Sequence, residues 1–181
     1  GNYAGYPRTA GGEKQLGVLK VQTDEGMEGH SFLGSSRQSA ELLAGPLMEY
    51  LKPVVLGRNP LDIGAVWTES WRLNRFVSPL AIGAIDVALW DLAGKVAGLP
   101  VHRLLGTCRD RAPAYASSGW LPTPEAYAEE ALGFRDRGWT AYKIHPHASP
   151  DKDIEICRAV KEAVGDTMVL MLDSIWAYGY E

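Results

Sequence analysis

From Ala112 to Asp173, short apolar segments alternate with helix-like segments bracketed by capping residues, and this alternation restricts the possible folds more than any other feature of the chain. "APAYASS" reads as a short strand. Thr123 and Pro124 then open a helix whose Tyr127, Ala131 and Phe134 face inward and which ends by Gly138. "TAYKIH" is the next strand; Ser149 and Pro150 start a helix carrying Ile154, Cys157, Val160 and Val164, closed by Gly165; "TMVLMLD" is the third strand. Strands separated by helices pair in parallel, because the connection has to cross back over the sheet before the next strand begins. The class is α/β.

The residues before this stretch are organised differently, which puts a domain boundary near Asp110. "EKQLGVLKVQTDEGMEGHSFLG" alternates apolar and polar residues at Leu16, Val18 and Val21 and turns at Asp24-Glu25-Gly26, as an antiparallel hairpin does. Between Ser36 and Lys52 the leucines Leu42, Leu43, Leu47 and Leu51 follow helical spacing; Gly45-Pro46 is expected to break or kink the run, with Pro46 opening a second short helix. "LGRNPLD" reads as a loop. "PLAIGAIDVALWDLAGKVAGLP" sets Ile82, Ile85, Leu89, Leu92 and Val96 at spacings of three and four, a buried helical stripe that Gly98 and Pro100 end.

Composition removes several function classes. The 181 residues are 46% hydrophobic and 22% charged, ordinary for a soluble globular protein of one or two domains. The net charge of -4 is spread in mixed signs with no basic patch, so nucleic acid is not an expected partner. No apolar run approaches the roughly 18 residues of a membrane span and no signal-like segment opens the chain, so a membrane is not an expected partner either and the expected address is cytoplasmic. Cys108 and Cys157 lie far apart without metal-ligand spacing, against both a disulfide scaffold and a structural zinc; Cys157 is expected to pack. No glycine-rich phosphate loop follows any strand, which disfavours a nucleotide site. The chain starts on Gly1 and ends at Glu181 beyond a strand-like segment, and it reads as a fragment.

The strand "TAYKIH" carries the chemistry. Side chains two apart on a strand share a face, so Tyr142 and Ile144 look towards the covering helices while Lys143 and His145 look the other way. In an open doubly wound sheet that second face is also covered, and two ionisable groups there carry a desolvation cost of several kcal/mol. In a closed β/α barrel it is the interior, whose C-terminal mouth is polar and holds the active site. "MVLMLD" is apolar on both faces until Asp173, which appears at the same end. With carboxylates from further strands, Asp173 would make an oxygen cage for Mg²⁺. Other readings stay open: Lys143 and His145 fit the solvated face of an edge strand, and Asp173 fits a cap of the next turn. His30 and His102 are expected in local hydrogen bonds, and His147 in the following loop has no nameable partner. The tryptophans are expected in packing, with Trp176 and Tyr178 placed where a substrate could touch them.

"AIGAIDVALWDLAGKVAGLPVHRLLG" resembles the helix and crossing segment that join the capping domain to the barrel in the mandelate racemase and muconate lactonizing enzyme group of the enolase superfamily. "GVLKVQTDEGMEGHSFLG" looks like that group's capping-domain hairpin, and "AYASS", "AYKIH" and "LMLD" look like its first three barrel strands. The resemblance implies an α+β capping domain, residues 1–110 with its N-terminal strand missing, followed by the first part of a modified (β/α)₈ TIM barrel, truncated, with three strands and two helices in residues 111–181. It implies Mg²⁺-assisted abstraction of the proton α to a carboxylate, with the metal stabilising the enediolate. By position Asp173 falls on the first of three metal ligands, and Ser117 falls where a serine lies near the substrate carboxylate. The family's second strand carries Lys-x-Lys; here it reads Lys-x-His, which places His145 at the base position.

An imidazole, with an ordinary pKa of about 6.5, is a competent base at neutral pH without the downward shift a lysine needs. Lys143, about 7 Å along the strand, either favours the neutral imidazole by charge repulsion or binds the substrate carboxylate. The resemblance implies an acid-sugar dehydratase giving a 2-keto-3-deoxy acid, with α-hydroxy-acid racemisation or epimerisation and cycloisomerisation as alternatives that share the first step. It also implies a small-molecule carboxylic acid as substrate and a homo-oligomer. In another class stands a non-catalytic truncation or a domain that binds an acidic metabolite; with one metal ligand, the 181 residues alone are expected to be inactive. Specificity is expected to lie partly in the loop Asn2 to Gly12.

Overall fold

The computed structural model describes residues 15–35, 38–147 and 149–174, and these divide into two compact units, one running to Asp110 and the other starting at Arg111. Trp176, Tyr178 and the loop Asn2 to Gly12 lie outside the described residues. No helix among the described residues is long and apolar enough to cross a membrane.

In the N-terminal unit β1 (Gly17–Gln22) pairs antiparallel with β2 (Glu28–Leu33), around a turn in which the Thr23 hydroxyl accepts from the Met27 N–H at 3.0 Å. The strand phase is opposite to the expected one for Leu16 and Val18, which are exposed, while Leu19 and Val21 pack on the core. The register explains this: Leu19 faces Ser31 and Val21 faces Gly29, and those two β2 residues lie directly on the long helix α4 (Pro79–Ala97). The Ser31 hydroxyl donates to the Ala84 carbonyl at 2.6 Å, and a Cβ built on Gly29 would sit 2.0 Å from the Ala88 carbonyl oxygen. Glycine and serine on the strand, with Ala84 and Ala88 on the helix, let the two backbones touch.

Helix α4 follows its sequence signals closely. The Ser78 hydroxyl accepts from the Leu80 N–H, Pro79 opens the first turn, and Gly98 ends the helix in the left-handed region at φ 62°. Ile82, Ile85, Leu89 and Leu92 are buried, each contributing roughly 1.5–3 kcal/mol of apolar transfer. Val96, expected in the same stripe, is exposed. The leucine-rich segment does not break at Gly45-Pro46: α1 (Ala40–Pro46) passes through a π-helical turn (Leu47–Leu51) into α2 (Lys52–Val55). The wider π turn absorbs the proline, and Leu43, Leu47 and Leu51 remain buried while Leu42 is exposed. A helix not anticipated from the sequence, α3 (Ile63–Trp71), follows the "LGRNPLD" loop, and a single turn, α5 (Val101–Leu104), follows α4.

The C-terminal unit runs β3 (Ala116–Ser117), α6 (Pro124–Asp136), β4 (Ala141–Ile144), α7 (Pro150–Val164) and β5 (Val169–Leu172). The three strands form one parallel sheet in the order β3-β4-β5. Tyr127 and Ala131 of α6, Ile156, Val160 and Val164 of α7, and Tyr142 and Ile144 of β4 make a buried core between helices and sheet. On α7 the inward stripe is Asp153, Ile156, Val160 and Val164; Ile154, expected to face inward, is 49% exposed, since it lies a third of a turn away from that line. Cys157 is half-buried against the core, and burial pushes its thiol up; Cys108 is exposed.

The close contact between hairpin and α4 can be probed at two places. Gly29→Ala forces the hairpin off α4 and is expected to destabilise by about 3 kcal/mol in urea titration, whereas Gly26→Ala, at a turn glycine with no atom within 4 Å of the added Cβ, costs less. Asp91 of α4 ties the hairpin down, accepting from Lys95 Nζ at 2.7 Å and from the His30 N–H at 2.8 Å, and these bonds hold its carboxyl below the usual range. A lowered folded pKa adds stability above the ordinary carboxyl pKa that is lost as pH falls. The gap in melting temperature between the wild type and Asp91→Asn is therefore expected at neutral pH and to close below about pH 4.

Candidate active site

The parallel ladder sets the geometry. β4 is the central strand, with β3 on one edge and β5 on the other, so the edge-strand reading of Lys143 and His145 does not hold. Tyr142 and Ile144 are fully covered on the helix side, and Lys143 and His145 lie on the opposite face, their side chains 20% and 22% exposed. His145 and Asp173 each stand one residue past the end of their strand, and the Asp173 N–H donates to the Ile144 carbonyl at 2.9 Å, extending the ladder to the tip. This brings Ser117, Lys143, His145 and Asp173 to the same end of three adjacent strands.

Asp173 Oδ2 is shared: Lys143 Nζ donates to it at 3.1 Å, and His145 Nε2 lies 3.4 Å away. The bond to Asp173 pushes the Lys143 ammonium up against the opposing effect of burial, and Tyr115, whose ring centroid is 5.2 Å from Nζ, adds to the shift. Lys143 is thus cationic at neutral pH. Its ammonium is bonded to a carboxylate here, and proton abstraction would first require the loss of that proton.

The imidazole is held from its other side. His145 Nδ1 lies 2.8 Å from the Ser118 carbonyl and 3.4 Å from Ser117 Oγ, and the His145 N–H donates to Ser118 Oγ at 2.8 Å. A carbonyl oxygen can only accept, so Nδ1 is the nitrogen that carries the proton, and in the neutral ring the lone pair sits on Nε2, facing Asp173. Ser118, not singled out in the sequence, is therefore closer to the imidazole than Ser117. Its signal is the alternation itself: Ala116 and Ser118 are buried and Ser117 exposed, which directs Ser118 to the helix side, against the strand tip. There the Tyr142 hydroxyl donates to Glu130 Oε2 at 2.5 Å, and burial pushes this phenol far up, with Glu130 adding to it and a hydrogen bond with Ser118 opposing. The same alternation carries the signal for Tyr115, the strand-mate of Ser117 two residues back, which sequence reasoning also missed.

His147, whose partners the sequence does not name, places Nε2 2.8 Å from the Leu121 carbonyl, and its N–H donates to Asp153 Oδ1 at 2.9 Å. His30, expected in local hydrogen bonds, has a neighbour in sequence in Glu28 but bonds mainly to Asp91 and Lys95 of α4. Among the described residues no three His, Cys, Asp or Glu side chains are grouped to hold a metal. Among the described residues at the strand tips Asp173 supplies a carboxylate oxygen of the kind Mg²⁺ takes, and a cation on Oδ2 would compete with the Lys143 ammonium already there.

The family model described as mandelate racemase / muconate lactonizing enzyme, N-terminal domain, matches residues 6–106, and the one described as enolase C-terminal domain-like matches residues 126–181. L-talarate/galactarate dehydratase of Salmonella typhimurium is 32% identical over 167 residues, covering 87% of this chain and 41% of that protein. The hydrophobic dipeptide epimerase of Enterococcus faecalis is 30% identical over 164 residues, covering 89% and 46%. The crystal structure of D-glucarate dehydratase from Agrobacterium tumefaciens complexed with magnesium superposes with a TM-score of 0.74 at 32% identity, covering 87% of this chain and 45% of that one. The chain spans under half the length of these relatives. Its N-terminal unit is a capping domain and its C-terminal unit the start of a barrel domain, and the chain belongs to the mandelate racemase / muconate lactonizing enzyme group of the enolase superfamily.

Proposed function

We propose that the full-length protein removes the proton α to a carboxylate with His145 as the base, and that the reaction is the dehydration of an acid sugar to a 2-keto-3-deoxy acid. The observation that carries this reading is the imidazole with Nδ1 on the Ser118 carbonyl and Nε2 turned towards a strand-tip carboxylate. Nε2 takes the α-proton, and the electron pair of the broken C–H bond passes into the carboxylate. The imidazolium so formed gains a charge partner in Asp173 at 3.4 Å. Expulsion of the β-hydroxyl as water, with a proton supplied by an acid, leaves an enol that tautomerises to the keto acid.

Abstracting this proton adds a second negative charge beside the first, so cationic groups have to lie at the carboxylate oxygens. Lys143 supplies one, and Ser117, exposed beside it, a hydroxyl donor. Mg²⁺, for which Asp173 would be a ligand, supplies the divalent charge when bound. The magnesium in the related D-glucarate dehydratase structure and the dehydratase activities named for relatives support the assignment. The dipeptide epimerase relative favours epimerisation as the second reading, since it would share proton abstraction and differ in returning a proton to the opposite face of the same carbon.

In D₂O with Mg²⁺, the full-length gene product is expected to erase the α-proton NMR signal of one or more members of a panel of aldonic, aldaric and aromatic α-hydroxy acids. His145→Ala should slow that exchange by about 10²-fold or more. A keto acid product establishes dehydration, an inverted centre establishes epimerisation, and no exchange with any acid favours a binding role. Calorimetric titration of Mg²⁺ should show Asp173→Asn weakening affinity about tenfold or more, and Lys143→Met strengthening it by removing the competing ammonium.

A further inference from the structure

β4 ends at Ile144, so the backbone N–H and C=O of His145 lie beyond the ladder. Two buried side chains meet them. Ser118 Oγ accepts from the N–H at 2.8 Å, and the Tyr127 hydroxyl donates to the C=O at 2.6 Å. The same hydroxyl accepts from the Leu121 N–H at 3.1 Å, so one phenol oxygen joins the tip of β4 to the loop that follows β3. Tyr127 sits in the first turn of α6, 0% exposed, on a turn capped by the Thr123 hydroxyl.

The surroundings leave this phenol little freedom. The His147 ring stands edge-on to it, with centroids 6.2 Å apart at 83°, and is itself tethered through Nε2 to the Leu121 carbonyl. Asp153, 2% exposed on α7, accepts from the N–H groups of His147 and Ser149 at 2.9 and 3.1 Å and secures the chain just past His145. Burial pushes the Tyr127 phenol up, so it remains a donor at physiological pH. The ring alone would satisfy the packing of α6; the hydroxyl bonds are additional to it.

We propose that Tyr127 is a positioning residue: its hydroxyl, bonded to the His145 carbonyl and the Leu121 N–H, fixes the His145 peptide so that the imidazole keeps Nδ1 on the Ser118 carbonyl and Nε2 towards Asp173. The role in a reaction rests on His145 being the base; the role in holding the ring does not. Misplacement of a reacting group by about 1 Å can cost about 10²-fold in rate, so loss of the hydroxyl acts through geometry while the ring volume is kept.

The test is Tyr127→Phe, with histidines ¹⁵N-labelled and long-range ¹H–¹⁵N spectra recorded at one neutral pH, His145 being assigned by its absence in His145→Ala. In the wild type the His145 Nδ1 is expected to carry a proton bonded to the Ser118 carbonyl, with the Leu121 amide protected from exchange although it lies in a loop. In Tyr127→Phe, with circular dichroism unchanged, the His145 nitrogens should move to tautomer-averaged positions and the Leu121 amide should exchange at least about tenfold faster. In the full-length product kcat should fall about tenfold or more, with KM changed less than about threefold. An unchanged His145 pattern in Tyr127→Phe overturns the proposal, and so does an unprotected Leu121 amide in the wild type, which requires no variant to fold. If the wild type processes no acid, the functional reading fails while the spectra still decide the positioning role.

Discussion

With β3 on one edge and β5 on the other, β4 has no freedom to turn its side chains out of alternation, and that constraint underlies both the core and the candidate site of the C-terminal unit. A one-residue slip would carry Tyr142 and Ile144 out of the helix layer and put Lys143 and His145 into it, burying two ionisable groups among apolar neighbours. The packing of α6 and α7 on the sheet therefore also decides where the candidate site faces. Its side chains need no separate support to choose their face; they need it only at the strand tips, where the ladder ends.

At those tips the polar groups divide into two sets. On the open face Lys143 and His145 both lie against one carboxylate oxygen of Asp173, and all three side chains keep some contact with solvent. On the helix face the Tyr142 hydroxyl donates to Glu130, the Tyr127 hydroxyl donates to the His145 carbonyl, and Ser118 Oγ accepts from the His145 N–H. Burial there holds the phenols protonated, which makes them dependable donors. A buried network of this kind stiffens a structure when each member finds its partner.

Much of this is legible in the sequence, because it obeys local rules. The period of two in "TAYKIH", the proline and threonine opening α6, the glycines closing α4, α6 and α7, and the carboxylate at the end of "MVLMLD" are each written in neighbouring residues. The features that escape such a reading depend on partners distant in sequence. The phase of β1 is set by Gly29 and Ser31 touching α4 some 50 to 60 residues later, and nothing in Leu16 or Val18 reports that contact. Alternation along "AYASS" gives Ser118 its face but not its partner, because its two bonds to His145 span 27 residues. Ile154 reads as inward because a helix with apolar residues on two sides does not say which side meets the sheet. Helix α3 is hidden for the simpler reason that a proline-containing loop just before it masks its start.

The unequal settings of the two cysteines have a practical side. A thiol reacts as its thiolate, so Cys157, half-buried and with its proton held more tightly than usual, is a slow target for maleimides and iodoacetamide, whereas Cys108 is exposed. Brief treatment with a limiting amount of reagent would give a chain labelled at one place, just before Asp110 and so next to the point in the sequence where one unit gives way to the other. A fluorophore or spin label there could report on the junction without any engineered residue, and the slower modification of Cys157 would rise when α7 lifts from the sheet, turning the second thiol into a gauge of local opening.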